Sequence, residues 1–176
     1  MLNIVLYQPE IPPNTANIIR TCFALGAKLH IIKPISFDLD PKYLSRPAAG
    51  RLLSDIEHEV HHSYQDFYNK YKDKKIYYIT RYGYKTYSDI DFKKQYEKDK
   101  EIWLMFGKES TGIDKKILQD NIDYCLRIPM VSAMRSINLA NSVAIVGFEV
   151  MRQLDFCDLS LYEVQKGKDF LKEWKV

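Results

Sequence analysis

Apolar runs alternate with amphipathic segments along most of the chain. Continuous apolar runs are typical of strands buried on both faces, and amphipathic segments between polar caps and glycines are typical of helices. The predicted strands are Leu2–Tyr7, 29–32, 76–80, Ile102–Phe106 and 124–128. The predicted helices are 14–25 with Asn14 as N-cap, Tyr64–Tyr71, 114–119, 137–154 with Ser136 as N-cap, and an amphipathic tail helix over 161–174, with a helical turn near 41–44.

Strands that alternate with helices predict an α/β fold, with a mainly parallel sheet flanked by helices. In such sheets, ligands bind at the carboxyl ends of the strands, so the informative loops should follow Tyr7, Thr80, Phe106 and Ile128. Periodicity by itself predicts an unknotted sheet, because threaded chains are very rare.

Composition limits the class of protein without identifying it. The chain has 176 residues, 46% of them hydrophobic and 28% charged, as in ordinary globular domains. A formal net charge of +3 permits a nucleic-acid partner but does not require one. The three cysteines are far apart, which argues against a disulfide framework or a cysteine zinc site. No apolar run could cross a bilayer and no signal-peptide pattern is present, so we expect a cytoplasmic protein without a membrane partner.

Two polar clusters coincide with the informative loops. The segment PPNTANIIRTC (12–22) places Asn17, Arg20 and Thr21 on one face of a predicted helix. The segment FGKESTGI (106–113) follows the most apolar strand, and its glycines permit a close backbone approach and a tight turn. It lacks the residues that a Walker A loop requires, and no GxGxxG occurs in the chain.

A third cluster, in residues 127–154, gathers Ser136, Asn138 and Asn141 at the start of an otherwise apolar helix. Capping explains one of these polar residues but not all three together. The remaining candidate is the segment HEVHH, residues 58–62, which matches the zinc-peptidase pattern HExxH. That pattern requires a helix, and the flanking residues lack an apolar helical stripe. We therefore interpret it as a polar edge strand and expect no metal, with a zinc peptidase using His58 and His62 as an alternative.

Three segments together resemble the motifs of the SPOUT methyltransferases: LNIVLYQPEIPPNTANIIRTC, FGKESTGI and IPMVSAMRSINLANSVAI. The nearest likeness is to the TrmL (YibK-type) tRNA cytidine/uridine-34 2′-O-methyltransferase subgroup, and it extends from residue 1 to 157. The resemblance implies a methyltransferase domain over 1–158 with a deep C-terminal trefoil knot, and a helical extension of unknown role over 159–176. It also implies S-adenosylmethionine as cofactor, no metal, a homodimer, and 2′-O-methylation of wobble nucleotide C34 or modified U34 in tRNA, with leucine tRNAs as the expected substrates.

The resemblance also implies roles for individual residues by motif match. The implied catalytic residues are Arg20, Asn17, Ser136 and Asn138. The implied cofactor-binding residues are Ile79, Gly107, Ile128, Met130, Ser136 and Leu139. The residues implied to hold the site together are Asn14, Glu109, Gly112 and Asn141. The RNA-binding candidates, chosen because basic groups meet phosphates and aromatic rings stack on bases, are Arg20, Arg46, Arg51, Arg81, Tyr82 and Lys85.

Arg20 is the matched candidate for activating the 2′-hydroxyl. A guanidinium stays protonated in proteins, so we expect Arg20 to stabilise the developing alkoxide or to clamp an adjacent phosphate. Two rival functions remain: methylation of another RNA position, and a non-catalytic RNA-binding module of the same fold.

Overall fold

The sheet that organises the molecule has seven strands, and helices cover both of its faces. The computed structural model describes residues 1–39 and 50–174. The strands are β1 Leu2–Tyr7, β2 Lys28–Ile32, β3 His58–His61, β4 Ile76–Ile79, β5 Lys85–Thr86, β6 Ile102–Phe106 and β7 Cys125–Arg127. The helices are α1 Pro12–Leu25, α2 Tyr64–Tyr71, α3 Phe92–Asp99, α4 Lys115–Asp120, α5 Leu139–Gln153 and α6 Phe170–Glu173.

Every strand pair in the sheet is parallel, and the order is β3-β2-β1-β6-β4-β7-β5. The predicted α/β fold with a mainly parallel sheet is confirmed. The central strands β1 and β6 are buried along their whole length, which explains their uninterrupted apolar sequences. Segment 58–62 contains a strand at the sheet edge, as predicted. The short strand β5 and helix α3 were not predicted, because neither has a strong apolar pattern.

Two apolar cores lie on opposite faces of the sheet. Alternate residues of β1 serve both, since Ile4 packs with α1 and α5 while Val5 packs with Phe67 of α2. Helices α1 and α5 pack closely at Gly147. A Cβ at this position would lie 2.8 Å from a Leu25 side-chain carbon. Each large side chain buried in these cores contributes about 1.5–3 kcal/mol. The core that contains Ile4 therefore fixes α1 and α5, the helices that bear the first and third polar clusters.

The chain crosses directly over β7 between β4 and β5. Ile79 of β4 and Lys85 of β5 lie opposite the same residue, Leu126, on the two sides of β7. Residues 80–84 make the connection, and a Cβ on Gly83 would lie 2.7 Å from the carbonyl oxygen of Cys125. Only glycine fits this crossing without a shift of the backbone. A crossing of this kind is what a threaded chain requires, and the trefoil knot itself stays a prediction here.

Two predicted helix caps are wrong. Helix α1 begins at Pro12 with Ile11 as N-cap, because prolines in its first turn have no N–H that needs a cap. Helix α5 begins after Asn138, whose Oδ1 accepts hydrogen bonds from the backbone N–H of Ala140 (2.8 Å) and of Asn141 (3.3 Å). Ser136 lies in the loop before it. Asn14, which does not cap α1, and Asn138, which caps α5, both form tertiary hydrogen bonds that are described below.

The predicted tail helix over 161–174 is wrong in its extent. Only Phe170–Glu173 is helical, and the residues before it form turns. Leu161, Val164 and Leu171 are largely exposed, so no core rewards an isolated helix here. The predicted turn at 41–44 lies outside the described residues. No helix in the described parts of the chain is both long enough and apolar enough to span a membrane.

A buried polar chain crosses three neighbouring strands beneath α2. His30 donates from Nε2 to Oδ1 of Asn3 (3.3 Å), and its Nδ1 lies 3.1 Å from Nε2 of His61. The other nitrogen of His61 lies 3.6 Å from a carboxylate oxygen of Glu59. Burial, together with the neighbouring His61, lowers the pKa of His30 to about 3. The imidazole of His30 is therefore neutral over the physiological pH range.

This depressed pKa predicts acid sensitivity of the fold. Below pH 6.5, the ordinary pKa of histidine, His30 binds a proton in the unfolded chain. In the folded chain, His30 stays neutral until the pH falls to about 3. The free energy of unfolding should therefore fall as pH decreases from 6.5 to 3, by at most about 1.4 kcal/mol per pH unit for this proton. His30→Gln should show a shallower pH dependence in urea titrations at several pH values.

The exposed His62 provides the control, because His62→Gln removes a histidine that lies outside the buried polar chain. Equal pH slopes for wild type and His30→Gln would contradict this origin of the acid sensitivity.

Candidate active site and its cofactor cavity

A cavity of about 410 Å³ lies at the carboxyl ends of β4, β6 and β7. It forms at the edge that the parallel topology predicts for a ligand site. All of the residues matched to cofactor binding line it, namely Ile79, Gly107, Ile128, Met130, Ser136 and Leu139. Three separate segments of the sequence therefore meet at one cavity, although the role of each residue there stays a prediction.

The lining suits an adenine-bearing cofactor. Ile79, Ile128, Met130 and Leu139 supply apolar walls, and loop segments supply backbone polar groups. Small-molecule sites are typically concave, mostly apolar and about 300–1,000 Å³ in volume. The residues present thus fit S-adenosylmethionine, whose base needs an apolar slot with a few directed hydrogen bonds.

A chain of hydrogen bonds joins the three polar clusters. The carboxylate of Glu109 accepts from the backbone N–H of Glu10 (2.8 Å) and of Ile11 (3.2 Å), and from Nδ2 of Asn14 (2.9 Å). Oδ1 of Asn14 in turn accepts from Nδ2 of Asn138 (2.9 Å). Asn138 caps α5, so the chain runs without a break from the β6 loop through α1 to α5. Asn14 is buried despite its polarity because both ends of its amide are paired.

A second carboxylate, that of Glu10, connects the same two loops in the opposite direction. Glu10 accepts from the backbone N–H of Ser110 (2.9 Å) and from its hydroxyl (2.8 Å). The two hydrogen bonds from Ser110 lower the pKa of Glu10, and the charge of Lys108 adds to the effect. The loops after β1 and β6 thus each contribute a carboxylate that accepts hydrogen bonds from the other loop. Each carboxylate fixes the backbone of the opposite loop.

The two glycines of the second cluster serve the loop more than a ligand. A Cβ on Gly107 would lie 2.3 Å from the backbone of Gly112 and Ile113, so glycine is needed for the loop to close on itself. The sequence predicts that Gly107 permits a close approach by a ligand, whereas the atoms nearest to its Cβ position in the structure are protein backbone. Gly112 has a φ of +76°, which agrees with the expected tight turn.

Three of the four residues matched to catalysis, Asn17, Arg20 and Asn138, line a second, adjoining pocket. This pocket of about 490 Å³ opens between α1 and α5 and is lined by Asn17, Arg20, Thr21 and Asn141, among others. Asn138 lines both pockets, so they meet at its side chain. Ser136 lines only the cofactor cavity. Within the described residues, the guanidinium of Arg20 makes no hydrogen bond or ion pair, which leaves its donors available to a ligand.

The RNA-binding candidates separate into two groups. Arg81 and Tyr82 line the cavity, and the Arg81 guanidinium lies 5.0 Å from the centre of the Tyr82 ring. Lys85 lies in β5 at the edge of the sheet, and Arg51 lies 4.0 Å over the ring of Phe23 at the far end of α1. Arg46 lies outside the described residues. Arg51 and Lys85 are thus not part of the cavity.

Three charged residues at the site were not among the predicted site residues. Glu10 follows β1 and its role needs Ser110, which is distant in sequence, so no local pattern indicates it. Lys108 and Arg135 line the cavity and lie within the second and third clusters. Their position next to residues matched by motif is the sequence signal that could have identified them as site residues.

The zinc-peptidase alternative is wrong. His58 is the first residue of β3 and His62 directly follows the strand, so four steps of extended chain separate them by about 13 Å, too far to share an ion. Among the described residues, one group could approach a metal, formed by His30, Glu59 and His61. Lys70 donates to Glu59 at 2.5 Å, and this ammonium occupies the carboxylate that a metal would need.

Replacing Glu109 by glutamine tests the hydrogen-bond chain. One carboxylate oxygen becomes an NH₂ group that faces N–H donors, so at least one buried contact is lost. We expect the free energy of unfolding to decrease by about 1–3 kcal/mol, measured by urea denaturation. Glu97→Gln, on an exposed face of α3, is the matched control and should have almost no effect. Wild-type stability of Glu109→Gln would contradict the importance of this chain.

Comparison with known proteins agrees with this geometry. Residues 1–148 match the model of the SpoU rRNA Methylase family. A tRNA (cytidine(34)-2′-O)-methyltransferase of Escherichia coli is 40% identical over 158 residues, which cover 89% of this chain and 96% of that protein.

Two solved structures are also similar. One, described as "Structural insights into the 2-OH methylation of C/U34 on tRNA", has a TM-score of 0.77 and 33% identity, and the match covers 88% of this chain and 91% of that one. The SpoU methyltransferase AviRb of Streptomyces viridochromogenes, in complex with AdoMet, has a TM-score of 0.72 and 25% identity over 89% of this chain and 61% of that one. The matched polar clusters, the parallel sheet and the cavity at its edge all agree with one assignment: this chain belongs to the SpoU methylase family.

Proposed function

We propose that this protein transfers a methyl group from S-adenosylmethionine to the ribose 2′-hydroxyl of nucleotide 34 in tRNA. The observation that carries the proposal is the junction at Asn138. There, a cavity suited to the cofactor meets a polar pocket that contains Arg20, whose guanidinium has no ion-pair or hydrogen-bond partner in the described ranges 1–39 and 50–174. A methyl donor in the cavity and a ribose in the polar pocket would then be neighbours.

The relatives support the choice of substrate. The Escherichia coli relative is named for cytidine 34 of tRNA, and a solved neighbour is described for C/U34 methylation. The AviRb neighbour binds AdoMet. We extend the position, nucleotide 34, and the cofactor to this chain, with C34 or modified U34 of leucine tRNAs as the expected targets.

The residues of the chain would mainly bind, orient and exclude water. When bound, S-adenosylmethionine supplies an electrophilic methyl group on a sulfonium. The apolar walls formed by Ile79, Ile128 and Leu139 would keep water from that group. Alignment of the 2′-oxygen with the methyl carbon is the main requirement of an in-line transfer, and positioning can supply several kcal/mol. Asn138, fixed by Asn14 and by its capping of α5, is suited to orient the ribose.

Arg20 is proposed as the residue that faces the reacting oxygen. Its guanidinium would stabilise the developing alkoxide or hold the adjacent phosphate, because it cannot act as a base while it stays protonated. Asn17 lies one helical turn before Arg20 on the same face of α1 and is proposed to assist it. Ser136 is proposed to contact the cofactor from the cavity side.

RNA is proposed to approach from the mouth of the cavity. Arg81 and Tyr82 present a cation and an aromatic ring there, and Tyr84 beside them is 89% exposed. Unpaired bases stack on such rings, and an anticodon loop presents unpaired bases. Arg46, Arg51 and Lys85 remain candidates for more distant phosphate contacts.

A homodimer is proposed, with α1 and α5 at the interface. Asn141, Ala144, Ile145 and Phe148 form a stripe along α5, and the last two are 38% and 46% exposed although they are apolar. The same stripe borders the Arg20 pocket. A second copy on this surface would cover the apolar side chains and close the polar pocket from outside.

Three further expectations stay with this proposal. The methyltransferase domain is proposed to span 1–158 and to carry a trefoil knot, supported by the crossing of residues 80–84 over β7. Residues 159–176 are an extension whose role is open. Because tRNA is the proposed partner, we place the protein in the cytoplasm.

A methyl-transfer assay tests the function. Purified protein, labelled S-adenosylmethionine and unmodified tRNA should yield a 2′-O-methyl group at nucleotide 34, mapped by nuclease digestion and mass spectrometry. Arg20→Ala should lower the rate by about 10²–10³-fold. Arg20→Lys, which keeps the charge without the fork, separates charge stabilisation from a bidentate clamp. A methyl group at another RNA position would refute the substrate, and cofactor-independent RNA binding without transfer would favour the non-catalytic module.

The dimer has its own test. Phe148→Asp places a charge in the proposed interface, at a cost of about 3–5 kcal/mol, so the dimer should dissociate. Sedimentation should then show a monomer, and methyl transfer should fall with the dimer fraction. Tyr68→Asp, an exposed aromatic of α2 on the opposite face of the sheet, is the control. A monomeric wild type, or a fully active monomeric variant, would contradict the proposal.

A further inference from the structure

The cavity has more positive charge than its proposed cofactor needs. Among the described lining residues, three are cations, Arg81, Lys108 and Arg135, and one is an acid, Glu109. The carboxylate of Glu109 accepts three N–H groups, all of them neutral, so the cations of the lining outnumber its one acid by two. S-adenosylmethionine has a sulfonium, and its carboxylate stands beside its own ammonium. The surplus positive charge therefore points to an anion other than the cofactor.

Lys108 differs from the other two cations. Arg81 and Arg135 are exposed, whereas Lys108 is half-buried in the loop between Gly107 and Gly112. Within the described part of the chain, no carboxylate forms an ion pair with its Nζ, and Glu10, which is near enough to sense its charge, is held by two hydrogen bonds from Ser110. Among the described residues, the side chain of Lys108 makes one hydrogen bond, which is long at 3.4 Å, to Oε1 of Gln8. An incompletely paired ammonium in a half-buried position gains from an anionic partner.

Gln8 is held in an unusual conformation that supports this contact. It follows β1 with a φ of +51°, a left-handed conformation that side-chain-bearing residues seldom adopt. Its backbone N–H is fixed to the carbonyl of Ile32 (3.0 Å), so the turn is tied to the sheet. The strained turn places the side-chain oxygen beside Lys108. Gln8 is thus suited to position Nζ without neutralising it.

We propose that Lys108, positioned by Gln8, binds a phosphate that flanks the methylated ribose in the RNA substrate. This proposal rests on the proposed function and deepens it by naming a substrate contact. A phosphate beside the reacting nucleotide is the nearest anion that an RNA brings to the cavity. The contact would hold the RNA backbone next to the reacting ribose and so restrict the orientation of that ribose.

Binding of an anticodon stem-loop RNA provides the test. Lys108→Gln, which removes the charge at similar length, should weaken RNA binding about tenfold. It should also lower the slope of log affinity against log salt by about 0.7, the effect of one phosphate contact on a single strand. Lys108→Arg should restore both quantities. The exposed Lys115→Gln, seven residues further on, is the matched control.

Two more arms make the assignment specific. Gln8→Glu keeps the lysine but gives it an internal counterion, so it should weaken RNA binding to a similar degree. A stem-loop with a neutral methylphosphonate at one of the two phosphates of nucleotide 34 should bind wild type as weakly as the native RNA binds Lys108→Gln. Lys108→Gln should bind one of these two methylphosphonate RNAs no more weakly than it binds the native RNA.

Two outcomes would overturn the proposal. If Lys108→Gln weakens binding of S-adenosylmethionine alone by calorimetry, then the anion is the cofactor carboxylate. If Lys108→Gln and Lys115→Gln behave alike with RNA, then Lys108 makes no specific contact. Methylation of nucleotide 34 by the wild-type protein in the same experiments reports separately on the proposed function, so the two failures are distinguishable.

Discussion

The site depends on one carboxylate that, in the part of the chain that the structure describes, has no cationic partner. Glu109 accepts three N–H groups from the segment that begins α1, and this contact connects residues about one hundred positions apart in sequence. Asn14 passes the connection to Asn138, which starts α5. Each polar group in the chain satisfies the next, so removal of one member leaves its neighbours unpaired in a partly buried place. The geometry of both pockets follows from this connection, since their shared wall is Asn138.

The chemistry of the two pockets differs because their walls have different origins. The cofactor cavity lies where loops leave the ends of buried strands, so apolar side chains and backbone groups form it. The polar pocket lies on the outer surface of two packed helices, where polar side chains can face solvent or a partner. A methyl transfer needs both environments side by side, one dry and one able to bind a charged RNA backbone.

The fold was predictable where local pattern and tertiary packing agree. Apolar runs in β1 and β6 correctly indicated buried parallel strands, and α2 was predicted to the residue. Prediction failed where tertiary contacts decide the outcome. The N-cap of α5 is Asn138 and not Ser136, because Asn138 also pairs with a residue of α1. The tail is mostly non-helical, because its apolar residues find no core against which to pack.

By itself, the sequence determined the α/β class, the three polar clusters and their place at strand ends, since these depend on local periodicity and on the geometry common to all parallel sheets. Only the tertiary structure decided that the clusters form two pockets, that Glu10 and Lys108 belong to the site, and that 80–84 cross β7. These features arise from contacts between segments far apart along the chain. Such pairings leave no periodic signal, because the partners are selected by the packing of the sheet and its helices and not by neighbouring residues.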